Sequence, residues 1–214
     1  MKVLALLAVG AVSASAMAVD YGDASFDLFD NGFDNLDITN VNMSDDGAIL
    51  VVSVTTRGFQ NWTKYMMYFD TVAGGTTSNA WSRPVDLAGR EIDHYLGSWV
   101  DASPNNSQFV SWTGSAWNWG SEQYLTNSVS GNTVTWQISL AALGVGAGET
   151  FYFDIATSGG GNDPGVDHLS RADQATPGWG TASVAGGFLS YTTVPAPGAI
   201  ALLGLAGLAG RRRR

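Results

Sequence analysis

The chain has 214 residues, no cysteine, eight tryptophans and a net charge of −9 at neutral pH. All nineteen acidic residues but only five of the ten basic ones lie in residues 19–193, which gives that segment a net charge of about −14. This charge argues against nucleic acid and anionic lipid as partners, because both bind positive surfaces, and the lack of cysteine excludes disulfides and thiolate metal sites.

The first eighteen residues predict a secretory signal peptide. Met1-Lys2 is a short basic start and Val3 to Val12 is an apolar run. The small-x-small pattern at Ala16-Met17-Ala18 predicts cleavage before Val19, with Ala14-Ser15-Ala16 as a nearby alternative. Residues 1–18 are therefore expected to form a signal helix that is removed on export, and the export machinery is an expected partner.

An acidic segment opens the exported part. Its aspartates recur at spacings of three and four, which on a helix would form one stripe of like charge: Asp20, Asp23, Asp27, Asp30, Asp34 and Asp37. Repulsion between neighbours, together with Gly22 and Gly32, disfavours a helix. We expect an extended segment anchored by its phenylalanines, or alternatively a calcium site that uses Asp30, Asp34 or Asp37.

The exported part after the acidic segment is predicted to be β-structure. Short runs rich in β-branched and aromatic residues, separated by Gly, Asn, Asp and Ser, predict strands at Ile49–Thr55, Tyr65–Phe69, Thr133–Ser139, Thr150–Ile155 and Phe188–Thr193. Strands at this spacing predict a single antiparallel β-sandwich over residues 19–193. A T-G-S turn further predicts a hairpin in which Trp112 faces Trp117.

The segment from Asn35, N-L-D-I-T-N-V-N-M-S-D-D-G-A-I-L-V-V-S-V, is followed by K-Y-M-M-Y-F-D-T and later by E-I-D-H-Y-L-G-S-W. This sequence pattern resembles the opening strands of DOMON-like sandwiches, which include the family 9 carbohydrate-binding modules. The resemblance implies a jelly-roll fold, and related domains bind sugars or haem. Haem is disfavoured here because His94 and His168 are the only histidines and neither lies in a haem motif.

Catalytic signatures are absent from the sequence. His94 alternates with apolar residues and is expected to be a core histidine, whereas His168 lies in an acidic loop and is expected to be solvated or a polar clamp. Neither has the spacing of a hydrolase motif. We therefore expect no enzyme activity, and a glycoside hydrolase, which needs a matched pair of carboxylates, is the weaker alternative.

Tryptophan supplies the best indication of a ligand. Four indoles stand beside Gly, Asn, Ser or Pro and are expected in loops, where they could stack on sugar rings: Trp62, Trp81, Trp119 and Trp179. Two or three of them around a cleft would give millimolar to micromolar affinity for a polysaccharide. The alternative is that the tryptophans fill the core of the sandwich.

The last twenty-one residues consist of Val194-Pro195-Ala196-Pro197, an apolar run over 198–210, and the basic cluster Arg211, Arg212, Arg213 and Arg214. As a helix the apolar run would be about 20 Å long, too short to cross a 30 Å hydrocarbon core comfortably. The arginines are expected to stay in the cytoplasm, which places the rest of the chain outside. A plain tail anchor is the alternative to a transient one.

This tail resembles the PEP-CTERM sorting signal of Gram-negative bacteria, with Ala196 in place of the glutamate of the family motif. The resemblance implies transient retention in the inner membrane, processing near Pro195 and Pro197 by an exosortase, and delivery to the cell surface or extracellular matrix. The sequence as a whole thus predicts an exported, non-enzymatic β-sandwich that binds matrix polysaccharide, with calcium as the candidate cofactor. The alternative is a structural or adhesive matrix protein with no small ligand.

Overall fold

The computed structural model describes residues 18–101 and 106–195. The signal helix, the cleavage residues Ala16 and Met17, and the tail from Ala196 onward lie outside the described residues. Within the described ranges no helix has the length and apolar character needed to span a membrane.

The described residues are almost entirely β-structure, and the only helical elements are 3-10 turns at Asp34–Leu36 and Trp119–Ser121. In chain order the strands are β1 Val19–Gly22, β2 Ile38–Asp45, β3 Ile49–Thr56, β4 Lys64–Asp70, β5 Val85–Asp86, β6 His94–Trp99, β7 Ser107–Ser111, β8 Gln123–Leu125, β9 Asn127–Ser130, β10 Thr133–Ser139, β11 Thr150–Ser158, β12 Asp167–His168, β13 Ser183–Val184 and β14 Leu189–Thr192. The all-β prediction is confirmed.

Two antiparallel sheets contain most of these strands. The first sheet has the order β1-β2-β3-β10-β9, and the second has the order β12-β11-β4-β6-β7-β8, with β14 also paired to β11. The short strands β5 and β13 form a separate parallel pair. The predicted contact between Trp112 and Trp117 is present as an antiparallel bridge.

The main core lies between the two sheets. Strands β3 and β10 alternate buried and half-exposed residues, so Val52, Val54 and Trp136 point inward while their neighbours face outward. The Trp136 indole is fully buried and donates from Nε1 to the hydroxyls of Ser98 and Ser107, each at 3.0 Å. These bonds satisfy a polar group that would otherwise be costly to bury.

The turn between β2 and β3 fastens the C-terminal strand to the first sheet. Gly47 has φ of +87°, a conformation that glycine adopts without strain, and its N–H donates to Asp45 Oδ1 at 2.8 Å. The buried Asp45 carboxylate also accepts from the Tyr191 hydroxyl at 2.8 Å and from the Val194 N–H at 3.1 Å. Asp45 therefore ties β14, which belongs to the second sheet, to a turn of the first.

The protonation of His94 is expected to make the stability of the protein depend on pH. Its ring is mostly buried, stacks on Phe109 with centroids 5.5 Å apart, and contacts the Ser111 hydroxyl through Nδ1 at 2.8 Å. Burial lowers the pKa of His94, although the negative charge of Asp93 partly offsets this. An unfolded histidine takes up its proton at about pH 6.5, whereas folded His94 stays neutral to lower pH, so acidification favours the unfolded chain.

We expect the wild-type protein to lose more thermal stability than His94→Gln when the pH falls from about 7 to about 5. The measurement is the melting temperature of both proteins across this range, and the informative quantity is the difference between them, because other titrating groups contribute equally to both. A difference that does not change with pH would contradict the role assigned to His94.

Candidate functional site

The outward side of the first sheet carries aligned rows of small polar side chains, which we call the polar face. Directly opposed residues on antiparallel strands share a face, and the strand register therefore sets the rows. One row is Asn40, Thr55, Thr133 and Ser130; the next is Asp20, Asn42, Ser53, Thr135 and Ser128; a third is Ser44, Val51 and Gln137. All of these side chains are half-buried or exposed.

Hydrogen bonds between neighbouring side chains order the polar face. The hydroxyls of Thr55 and Thr133 are 2.8 Å apart, as are those of Ser53 and Thr135. Asp20, the only charged residue in the three rows, accepts from the amide of Asn42 at 2.9 Å, and this bond lowers its pKa. The face is thus a nearly uncharged array of hydroxyls and amides on a strongly acidic protein.

Two grooves cross the polar face. The larger, of about 490 Å³, lies where the chain passes from β8 to β9, and it is lined by Tyr124, Leu125, Thr126, Ser128, Thr135 and Gln137. The smaller, of about 200 Å³, is lined by Ser44, Asp45, Asp46, Ile49, Val51 and Gln137. Gln137 lines both grooves, which therefore adjoin at this residue, and we call the two together the path.

Tyr124 is the aromatic residue that lines the larger groove. It belongs to β8, the edge strand of the second sheet, where it pairs with Gln108, and it therefore stands beside the polar face rather than in its rows. Its side chain is 52% exposed, and its hydroxyl lies 3.3 Å from Glu122 Oε1. A half-exposed tyrosine beside ordered hydroxyls combines a flat apolar surface with donors and acceptors at its edge. This combination suits a ligand that has both apolar ring faces and hydroxyl groups.

The four predicted sugar-stacking tryptophans lie at three different places. Trp62 and Trp179 both pack edge-on against Phe33, with centroids 6.3 and 5.2 Å away. Trp81 lies on the outward side of the second sheet, and Trp119 is 38% exposed on the second 3-10 turn. None of them lines the two grooves of the polar face.

Trp81 belongs to a row of aromatic rings on the outward side of the second sheet. Its ring lies 5.6 Å from Tyr95 and 5.7 Å from Trp99, and its Nε1 donates to Gln108 at 3.0 Å. The indole rests directly on the backbone of Gly97 in β6, where any Cβ would overlap it. Trp81 lies in the segment between β4 and β5, outside the strands as expected, but its indole packs against the sheet.

The three aspartates predicted to bind calcium also have different surroundings. Asp30 is exposed and caps the N–H of Gly32 at 2.9 Å, and Asp34 pairs with Arg57 at 2.7 Å. Asp37 is fully buried, and its Oδ2 accepts from Arg57 Nε and from the Phe26 N–H, both at 2.9 Å. Of the three, only Asp37 points into the interior.

A Ser-His-Asp arrangement occurs beneath the outer surface of the second sheet. His168 Nδ1 contacts Asp154 Oδ2 at 2.7 Å, and its Nε2 lies 3.1 Å from the hydroxyl of Ser183. All three residues are fully buried, so a substrate cannot reach the hydroxyl in this conformation. His168 is therefore a buried polar clamp, one of the two roles that the sequence suggested for it.

No family profile matches the chain, and no curated protein is a significant match. The candidate site must therefore be judged on its own geometry.

The polar face and Tyr124 are not among the site residues predicted from the sequence. The signal was present in the alternation of Val with Ser, Thr and Asn along residues 38–56 and 133–137. The same alternation predicted the strands, but their solvent-facing residues were treated only as the outside of a sandwich.

Proposed function

We propose that the protein is an exported, non-enzymatic β-sandwich that binds neutral polysaccharide along the polar face. The observation that carries the proposal is the path of ordered hydroxyls and amides ending at the exposed ring of Tyr124. Sugars present an apolar ring face and a rim of hydroxyls, which match an aromatic ring and small polar side chains respectively.

The charge distribution favours a neutral or weakly charged glycan. Asp20 is the one charged residue in the three rows, and the carboxylates that border the grooves, Asp45, Asp46 and Glu122, would repel an anionic sugar, so the site favours a neutral polymer. A single stacking tyrosine buries about 50–100 Å² of apolar surface, worth roughly 1–2.5 kcal/mol before entropic costs. Each site is then expected to be weak, at about millimolar affinity, and several copies on one surface would bind by avidity.

The proposal also covers the cellular location of the protein and its fold family. We propose that residues 1–18 direct export and that residues 194–214 act as a PEP-CTERM-like signal read by an exosortase, leaving the sandwich at the cell surface or in the matrix of a Gram-negative bacterium. The two-sheet arrangement and the D-D-G turn are compatible with a DOMON-like, family 9 jelly roll. The absence of enzyme activity is proposed because the Ser-His-Asp arrangement is inaccessible.

The decisive experiment measures polysaccharide binding by the purified full-length chain and by Tyr124→Ala. Affinity electrophoresis in gels that contain neutral polysaccharides detects millimolar binding, and a glycan array identifies the sugar. We expect Tyr124→Ala to weaken binding about 5- to 50-fold, because it removes the stacking surface without affecting the core.

Two matched variants separate the polar face from other exposed aromatic residues. Tyr152 is 44% exposed on the second sheet, and Trp119 is the most exposed of the four tryptophans named above. Tyr152→Ala and Trp119→Ala should both bind like the wild type. Loss of binding in Trp119→Ala alone would support the loop tryptophans instead, and absence of binding to every glycan would favour a structural matrix protein.

A further inference from the structure

Two buried aspartates, Asp37 and Asp167, and two half-buried ones, Asp23 and Asp27, lie near one another at a place separate from the polar face. Asp27, Asp37 and Asp167 each direct a carboxylate oxygen into a space where these oxygens lie within 4.8 Å of one another. Asp37 precedes β2 of the first sheet and Asp167 begins β12 of the second, so the cluster joins the two sheets. Asp23 lies near enough for its charge to raise the pKa of Asp167.

Three of the four aspartates carry carboxylate oxygens that have no hydrogen-bond partner. Asp23 Oδ2, Asp37 Oδ1 and both oxygens of Asp27 are buried and unpaired. Asp37 as a whole is fully buried, so its free oxygen is an unpartnered polar atom in the interior that points into the cluster. Burying an unpaired carboxylate oxygen is costly, and such atoms call for a ligand.

The outer oxygens, in contrast, are held by the backbone. Asp23 Oδ1 accepts from the Ala24 N–H at 2.8 Å, and Asp37 Oδ2 accepts from the Phe26 N–H at 2.9 Å. Asp167 accepts from the N–H groups of Ile38 and His168, at 2.6 and 2.8 Å. Asp23 and Asp37 are thus oriented through one oxygen and keep the other free, as outer hydrogen bonds do around metal ligands, whereas both oxygens of Asp167 have a backbone donor.

The charge of the cluster is not balanced by protein cations. Among the described residues the only ion pair to reach these four aspartates is Arg57 with Asp37, and Arg57 is shared with Asp34. Burial and mutual repulsion raise the pKa of Asp23 to about 8 and that of Asp167 well above its usual range. Close carboxylates lower their mutual repulsion either by holding protons, which the raised pKa values express, or by binding a cation, and the single shared arginine leaves room for one.

We propose that Asp27, Asp37 and Asp167, with Asp23 close by, bind one calcium ion that holds the acidic loop against both sheets. The available ligands are all carboxylate oxygens, which hard cations prefer. Ca²⁺ binds oxygen at about 2.3–2.6 Å, so one ion spans ligand atoms up to about 5 Å apart, whereas Mg²⁺ at about 2.1 Å spans less. The site takes Asp37 from the set suggested by the sequence and replaces Asp30 and Asp34.

The test uses the full-length chain stripped of metal with EDTA and then titrated with CaCl₂. Calorimetry should give one bound ion per chain, and saturating calcium should raise the melting temperature by on the order of 5–10 °C. An equal volume of MgCl₂ at the same concentration should give a clearly smaller shift. No shift with calcium, or an equal shift with magnesium, would overturn the assignment.

Asp27→Asn is the sharpest variant, because both Asp27 oxygens lack protein partners and the change costs no hydrogen bond. It should melt at the same temperature as the wild type or higher in EDTA, since it relieves repulsion, and should lose most of the calcium-dependent shift. Asp30→Asn is the matched control: an asparagine still caps Gly32, and the calcium shift should be retained. A full shift in Asp27→Asn, or a lost shift in Asp30→Asn, would overturn the proposed ligand set.

Discussion

Replacing Asp154 with alanine is expected to lower the free energy of unfolding by about 3–5 kcal/mol, because it breaks a buried hydrogen-bonded pair from one side. The Asp154 carboxylate accepts from His168 Nδ1 and from the N–H groups of Ile155 and Ser170. In the variant all three donors are left without this acceptor in a region closed to water. At roughly 2–4 °C per kcal/mol, the melting temperature should fall by about 10 °C.

Asp154→Asn tests whether hydrogen bonding or charge is responsible. The asparagine oxygen still accepts from the two N–H groups, and its amide donates to the neutral His168 ring, whose Nε2–H then donates to Ser183. We expect a loss of only about 1–2 kcal/mol by urea denaturation. If Asp154→Asn were as damaging as Asp154→Ala, the hydrogen-bond account would be wrong and the negative charge itself would be required.

Gly97→Ala is expected to lower the free energy of unfolding by about 2–4 kcal/mol. The added methyl group overlaps the Trp81 indole, so the indole must move away and break its bond to Gln108. Overpacking of this kind costs about 1–3 kcal/mol, and the lost hydrogen bond adds about 1 kcal/mol. Urea denaturation measures the loss, and near-ultraviolet circular dichroism reports the displaced ring.

A double-mutant cycle tests whether overlap with the Trp81 indole causes the loss of stability in Gly97→Ala. Trp81→Ala removes the clashing partner, so adding Gly97→Ala to it should cost no more than about 0.5 kcal/mol, far less than in the wild type. Gly22→Ala is the matched control, since a Cβ at this strand glycine meets no atom within 4 Å and should be nearly neutral. Equal costs of Gly97→Ala with and without Trp81 would show that the strand, rather than the indole, requires glycine.

The sequence predicted the long strands well because their residues carry a local signal. Strand β10 begins and ends at the predicted residues, Thr133 and Ser139, since alternation of apolar and polar residues is readable over seven positions. The two-residue strands β5, β12 and β13 have no such signal. Their pairing is decided by the partners that the rest of the fold brings to them.

The candidate sites were harder to predict because distant segments build them. The row that contains Thr55 and Thr133 joins residues 78 positions apart. The spacing of the N-terminal aspartates favoured Asp30 and Asp34, whereas Asp167 reaches the cluster only through β12. Trp81 was expected in a loop, and only the structure places its ring on Gly97.

The attachment of Val194 to Asp45 also decides how the protein would bear mechanical load. Val194, the first residue of the V-P-A-P motif, donates to Asp45, which sits in the turn between β2 and β3. A pull on the chain beyond Pro195 therefore reaches this carboxylate first, before β14 can peel away from β11. The Tyr191 hydroxyl of β14 also donates to Asp45. In a tethered molecule the force would therefore be divided between the two sheets from the start of loading.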